Sequence, residues 1–198
     1  MEKFNDWDKV EAKGMEDYKY LEMGAYECVI KSAGEHTAQS GNKSLKVTFD
    51  VNKGDFKNYF QEKFDRDDRD NKKWDNNATK YFGLGDSGKG FFKGFITSVE
   101  NSNGSFKFDF DESKLVGKKI ACSFEPEENE YEGKTSVKIK INKFRSLDKL
   151  KDITVGNIKL LNGNYIPFET YNKPSNDINN YKVTDDDLPF DTDLDLEL

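Results

Sequence analysis

The clearest pattern in the chain is an alternation. Leu45, Val47, Phe49 and Val51 alternate with Lys46, Thr48 and Asp50, the period of two expected of a strand with one buried face. Before it, Tyr26-Glu-Cys-Val-Ile-Lys31 reads as a strand opened by Gly24. The turn-rich run 32–42, ending in Gly41-Asn42, permits a hairpin return. Phe56-Lys-Asn-Tyr-Phe-Gln61 reads as a third, shorter strand. The period then changes. Phe91, Phe92, Phe95, Ile96 and Val99 fall on one face of a short helix, which Asn101-Ser-Asn-Gly104 stops.

Phe106, Phe108 and Phe110 alternate with Lys107, Asp109 and Asp111 as a brief strand or extended ribbon. Leu115-Val-Gly-Lys-Lys-Ile-Ala-Cys-Ser-Phe124 resumes the sheet, 125–130 reads as an acidic turn, and 135–145 gives the last clear strand. The predicted order is three strands, a helix, then two or more strands. That makes the chain mainly β. The order agrees with an OB-fold-like five-stranded Greek-key barrel with one packed helix, and a half-open β-roll with one helix fits the same pattern. Residues 1–24 read as an arm packing on the domain. Residues 25–172 read as the domain, with a charged insertion near 62–90, and 173–198 as a disordered acidic tail.

Composition narrows the class. At 198 residues the chain can bury one good core, and its sixteen Phe and nine Tyr carry much of the apolar area. Cys28 and Cys122 both lie in apolar strand-like stretches and are expected as buried free thiols. No apolar run approaches a membrane span and the N-terminus lacks a secretory signal's apolar centre, so a cytoplasmic protein without membrane association is expected. The net charge of −7 is unevenly placed. Residues 175–198 hold eight acids and one Lys, while the remainder holds thirty acids and thirty bases. The domain itself is neutral, and a neutral domain can bind a polyanion when its bases share a face.

The best basic footprint runs from 133 to 151, where Lys134, Lys138, Lys140, Lys143, Arg145, Lys149 and Lys151 stand against Asp148 alone. With Val137, Ile139 and Ile141 turned to the core, Lys138 and Lys140 share the other face. Lys46 and Lys57 could extend the track. Such a row can follow a phosphate backbone, and it would equally discourage edge aggregation. Tyr59, Trp74, Tyr81 and Phe82 are the candidates for base stacking, which is sequence-tolerant. Segment 62–80, with bases and acids in near balance, is either a surface insertion or a loop laid over a single strand. An exposed Trp74 would favour the second, and a Trp74 folded onto the core would remove it.

Other chemistry finds little footing. The lone His36 reads as a surface-loop residue, with no second ligand at metal spacing and no nucleophile paired to it. Gly83-Leu-Gly-Asp-Ser-Gly-Lys-Gly90 has Gly90 where a phosphate-binding loop needs Ser or Thr, so it reads as a turn before the helix. The carboxylates Asp65, Asp67, Asp68 and Asp70 read as a solvated run. No catalytic residue, metal or cofactor is expected.

The tail carries the most specific motif, Asp185-Asp186-Asp187-Leu188-Pro189-Phe190. An acidic lead-in with an apolar point suits a small hydrophobic pocket rimmed by bases, or serves only as an acidic solubility tail. The run resembles the C-terminal tip of bacterial and phage single-stranded-DNA-binding proteins. In that family an oligonucleotide-binding domain holds DNA while the tip recruits replication and repair enzymes. Here eight residues follow Phe190, whereas the family's tip ends on its Phe carboxylate. Gly24-Ala-Tyr-Glu-Cys-Val-Ile-Lys31, Phe91-Phe-Lys-Gly-Phe-Ile-Thr-Ser-Val-Glu100 and Leu115-Val-Gly-Lys-Lys119 resemble small phage proteins associated with DNA replication or recombination. These resemblances imply sequence-tolerant binding of single-stranded DNA, in a phage protein of the host cytoplasm, with replication or recombination proteins captured by the tail. Homo-oligomers are compatible with this reading. The alternatives are an adaptor whose domain binds no DNA, or a tail that mimics DNA.

Overall fold

The computed structural model describes residues 3, 5, 7–12, 14 and 19–171. The acidic tail with its Asp185, Asp186, Asp187, Leu188, Pro189 and Phe190 tip lies outside the described residues.

The alternating stretch folds as foreseen. Strand β2 (Lys43–Val51) buries Leu45, Val47, Phe49 and Val51. It pairs antiparallel with β1 (Gly24–Thr37). β1 is longer than its apolar pattern suggests. Residues 32–37, expected in a turn, pair one for one with β2 from Ser32↔Thr48 to Thr37↔Lys43, and the chain turns only around Gly41, at φ 82°. That positive φ suits a glycine.

The expected third strand over 56–61 is a helix, α1 (Tyr59–Arg66). The cause is tertiary. Asp50 on β2 is fully buried, and its carboxylate accepts the backbone N–H groups of Phe60 at 3.0 Å, Gln61 at 3.1 Å and Val51 at 2.8 Å. A carboxylate gathering the first amides of a helix stabilises that end. Asn58 enters the helix at φ 63°, which an extended strand could not accommodate. The third strand is instead β3 (Thr79–Gly83), drawn from the tail of the charged insertion and antiparallel to β2.

Helix α2 (Lys89–Ser102) covers the predicted stripe, with Phe95 and Val99 buried and Phe91 left half-exposed. The glycine-rich run before it is a tight turn. A Cβ on Gly88 would lie 2.3 Å from the Gly83 carbonyl oxygen, so Gly88 is required by close backbone approach. The 106–110 stretch forms no strand, and Phe110 breaks it at φ 67°. Strand β4 (Lys119–Tyr131) absorbs the whole 125–130 segment that reads as an acidic turn, and the chain reverses at Glu132 and Gly133 into β5 (Lys134–Arg145). A short hairpin of β6 (Asn157–Lys159) and β7 (Tyr165–Pro167) completes the sheet.

The fold is mainly β. Its strands form one seven-stranded sheet in the order β3-β2-β1-β4-β6-β7, with β5 pairing to β4. β1 and β4 are antiparallel from Gly24↔Phe124 to Val29↔Lys119. Against the expectation of a five-stranded barrel, the sheet is open. Among the described residues no strand pair joins β3 to β5, so a seam separates those two strands. The core is aromatic. Phe82 stacks on Phe95 at 4.1 Å, and Phe144 packs against Phe49, Phe82 and Phe95. Burying each such ring stabilises the fold by roughly 1.5–3 kcal/mol. Cys28 and Cys122 are free and buried on β1 and β4, and burial together with the neighbouring Cys28 thiol pushes Cys122 well up from its ordinary range. Among the described residues no helix is long and apolar enough to cross a membrane.

Candidate nucleic-acid interface

The face of β1, β2 and β3 turned from the aromatic core is polar. The register sets Ser32 opposite Thr48, Gly34 opposite Lys46, and Lys46 opposite Tyr81. The Ser32 and Thr48 hydroxyls share a hydrogen bond of 2.7 Å. Together with His36, Lys46 and Trp74 they line an open notch of about 280 Å³.

Trp74 is one wall. Its ring is half-buried and packs against the core, tilted on Phe64 at 5.7 Å, and its indole N–H donates to the Phe49 carbonyl at 3.1 Å. It is therefore folded back onto the sheet, which removes the reading of segment 62–80 as a loop laid over a single strand with Trp74 stacking on bases and leaves Trp74 as a wall of the notch. The charged insertion is similarly tied down at this end, since Asp75 accepts from Asn77 N–H at 2.7 Å and pairs with Lys63 at 3.2 Å. The Lys31 ammonium lies 6.0 Å from the Trp74 ring centre.

Tyr81 borders the notch with 45% of its surface exposed. His36 meets its ring edge-on at 5.1 Å, and the Lys46 ammonium lies 5.8 Å from the ring centre. His36 thus sits on β1 rather than in a loop. Its buried Nδ1 makes no hydrogen bond with any described residue. The arrangement offers an exposed aromatic face, two ammonium groups, and hydroxyl and imidazole groups at the floor. It can take a flat ring and an adjoining anion.

The other predicted contacts are dispersed. Phe82, adjacent to Tyr81, points to the opposite face and is fully buried, so it presents no face to a base. Tyr59 packs in α1 against Phe56 and Phe60, and Lys57 is exposed before that helix; neither lines the notch.

The basic strand meets counter-charges that the sequence reading placed in a turn. Across the β4–β5 hairpin Lys140 pairs with Glu127 at 3.2 Å and Lys143 with Glu125 at 2.8 Å, while Lys138 stands opposite Glu127 in register. Glu125 is buried; the oxygen facing Lys143 also accepts from the Ser123 hydroxyl, and its other oxygen accepts from the Asn142 amide. Lys143 also donates to the Thr154 carbonyl at 2.8 Å. Lys134 and Arg145 remain exposed at the two ends of β5. The row is thus less a free cationic track than one side of an ion-paired ladder. The residues that sequence reasoning missed are Ser32, Thr48, His36 and Lys31. Ser32 and His36 lie in the part of β1 that reads as a turn, whereas Lys31 and Thr48 lie in stretches that read as strands and carry no signal of a site. Among the described residues no group of His, Cys, Asp and Glu is arranged to hold a metal ion.

No protein-family profile matches this sequence, and no curated protein is significantly similar to it.

Proposed function

We propose that this protein binds single-stranded DNA without sequence preference, through the polar face of β1, β2 and β3, in DNA replication or recombination of phage type. The observation that carries the reading is the open notch lined by Lys46, His36 and Trp74, with exposed Tyr81 against His36 and Lys46 at its border and Lys31 beside the Trp74 ring. Tyr81 would receive a base, with a stacking contribution of about 1–3 kcal/mol whatever the base. Lys46 and Lys31 would neutralise the phosphates that flank it, which makes binding salt-sensitive. The order β1, β2, α1, β3, α2 and then the β4–β5 hairpin, with β1 between β2 and β4, supports an OB-like reading of the domain in which α1 is an insertion. The acidic tip of the tail would recruit replication or recombination proteins.

Fluorescence anisotropy of labelled oligo-dT against the full chain tests this. Tyr81→Ala is expected to weaken binding by about ten-fold, and Lys46→Gln to flatten the salt dependence by ~0.7 in log–log slope. Unchanged affinity and slope in both variants would refute the assignment of this face.

A further inference from the structure

A second cationic site lies at the seam between β3 and β5. Successive residues of β3 point to opposite faces. Tyr81 lies opposite Lys46 on the polar face, while Lys80 lies opposite Val47 on the core side. An amine directed inward beside Phe82 would be costly to bury. Lys80 therefore runs out along the seam, where its ammonium lies 5.9 Å from the centre of the Phe91 ring.

There it enters the field of two further lysines, Lys140 on β5 and Lys159 on β6. Glu127 is shared between them, accepting Lys140 at 3.2 Å on Oε1 and Lys159 at 3.4 Å on Oε2. Two ammonium groups from two strands thus pair with a single carboxylate, and Lys80, held beside Phe91, lies within their electrostatic reach. Partial burial and the two like charges hold Lys80 below its ordinary range despite Glu127. The like charges remain under-compensated, and the groups stay partly open to solvent, with Lys140 27% and Lys159 39% exposed at the side chain. Beside them the Phe91 ring is 52% exposed, and it is braced from behind by Phe82 at 5.5 Å.

We infer that this seam is a second nucleotide subsite, in which Lys80, Lys140 and Lys159 take a phosphate and Phe91 takes the adjoining base. The inference rests on the single-strand reading and gives it a path. Because Tyr81 and Lys80 are neighbours on opposite faces of β3, a flexible strand bent over that edge passes from the notch to the seam. Glu127 acts there as an internal counter-anion that the phosphate displaces from the lysines.

The test uses the full chain with two probes, labelled oligo-dT by anisotropy and thymidine 5′-monophosphate by NMR of the lysine ammonium groups and the Phe91 ring. Lys80→Gln is expected to lower the oligo-dT salt slope by ~0.7, and Phe91→Leu to weaken binding by about five-fold or more. Glu127→Gln, which frees Lys140 and Lys159, is expected to tighten both probes, a gain that a purely structural role would not produce. Oligo-dT binding that responds to Tyr81→Ala but not to Lys80→Gln, Phe91→Leu or Glu127→Gln overturns the seam alone. Mononucleotide shifts at the seam without oligo-dT binding would support the seam and overturn the notch. No binding of either probe to the native chain overturns both.

Discussion

Asp50→Ala probes the contact that turns segment 56–61 into a helix. The native carboxylate is buried and accepts three backbone N–H groups, from Val51, Phe60 and Gln61. Alanine removes the helix cap, worth about 1 kcal/mol. It also leaves the amides of Phe60 and Gln61 short of an acceptor in a partly buried setting, at about 1–3 kcal/mol for each group that water cannot reach. A total loss of roughly 2–4 kcal/mol is expected, because solvent reaches the Gln61 end of the helix. Urea unfolding followed by circular dichroism and tryptophan fluorescence measures it. Asp50→Asn keeps one oxygen for Phe60 and Val51 and sets an amide nitrogen against Gln61, so it should cost less. A loss below about 0.5 kcal/mol in Asp50→Ala would refute the claim that Asp50 dictates α1.

The same residue makes a pH prediction. Burial raises the Asp50 pKa in the folded state, and the three amide bonds and Lys31 only partly offset it. The folded chain therefore holds this proton to higher pH than the unfolded chain does. Stability contributed by protonated Asp50 is full below the ordinary value of 3.8 and is lost as pH rises through the folded value. The wild type should lose stability relative to Asp50→Asn across that window, and a difference independent of pH would contradict the assignment.

Other outcomes follow from the site and the core. Glu127 behaves oppositely to Asp50. Partial burial raises its pKa, but the charges and hydrogen bonds of Lys140 and Lys159 prevail and hold it below its ordinary value. Its stabilisation is therefore present above about 4.5 and is lost as pH falls through the folded value, a loss that Glu127→Gln should abolish in acid titrations followed by circular dichroism. Phe82→Ala should cost about 3–5 kcal/mol in urea unfolding, because its stacked ring lies wholly in the core, whereas Tyr81→Ala next to it should cost under about 1 kcal/mol and act on binding instead. Deleting residues 175–198 should leave oligo-dT affinity unchanged in anisotropy titrations; tighter binding would show that the tail competes with DNA.

Much of this fold was legible in the chain. The alternation of 45–51 buries its apolar members, and the helical stripe of 91–99 forms the expected helix and buries Phe95 and Val99 while leaving Phe91 half-exposed. The errors share one physical origin, partners distant in sequence. Residues 56–61 have an extended-looking pattern, but Asp50, on another element, captures their amides. Residues 125–130 have the composition of a turn, yet they pair with 135–140 because lysines on β5 supply the opposite charge. That pairing sets Lys140 against Glu127 and Lys143 against Glu125. At the candidate site, Lys46 lay on the alternating strand, whereas Tyr81 and Trp74 stood out only as aromatic residues in or next to a charged segment, and Trp74 packs on the core instead of standing out to meet a base. Phe82 was misassigned because adjacent aromatic residues on a strand face opposite ways, and only the pairing register says which one is outside. His36 and the Ser32–Thr48 floor depended on the length of β1, which its own residues do not announce.

The central claim, preference for single strands through the β1–β2–β3 face, is tested most directly by titrating the full chain into labelled oligo-dT and its matched duplex at several salt concentrations. Tighter binding to oligo-dT at every salt concentration is predicted, with an affinity that falls linearly against log salt and drops when Tyr81 is replaced by Ala. Equal binding of both forms, or none at low salt, would contradict the account.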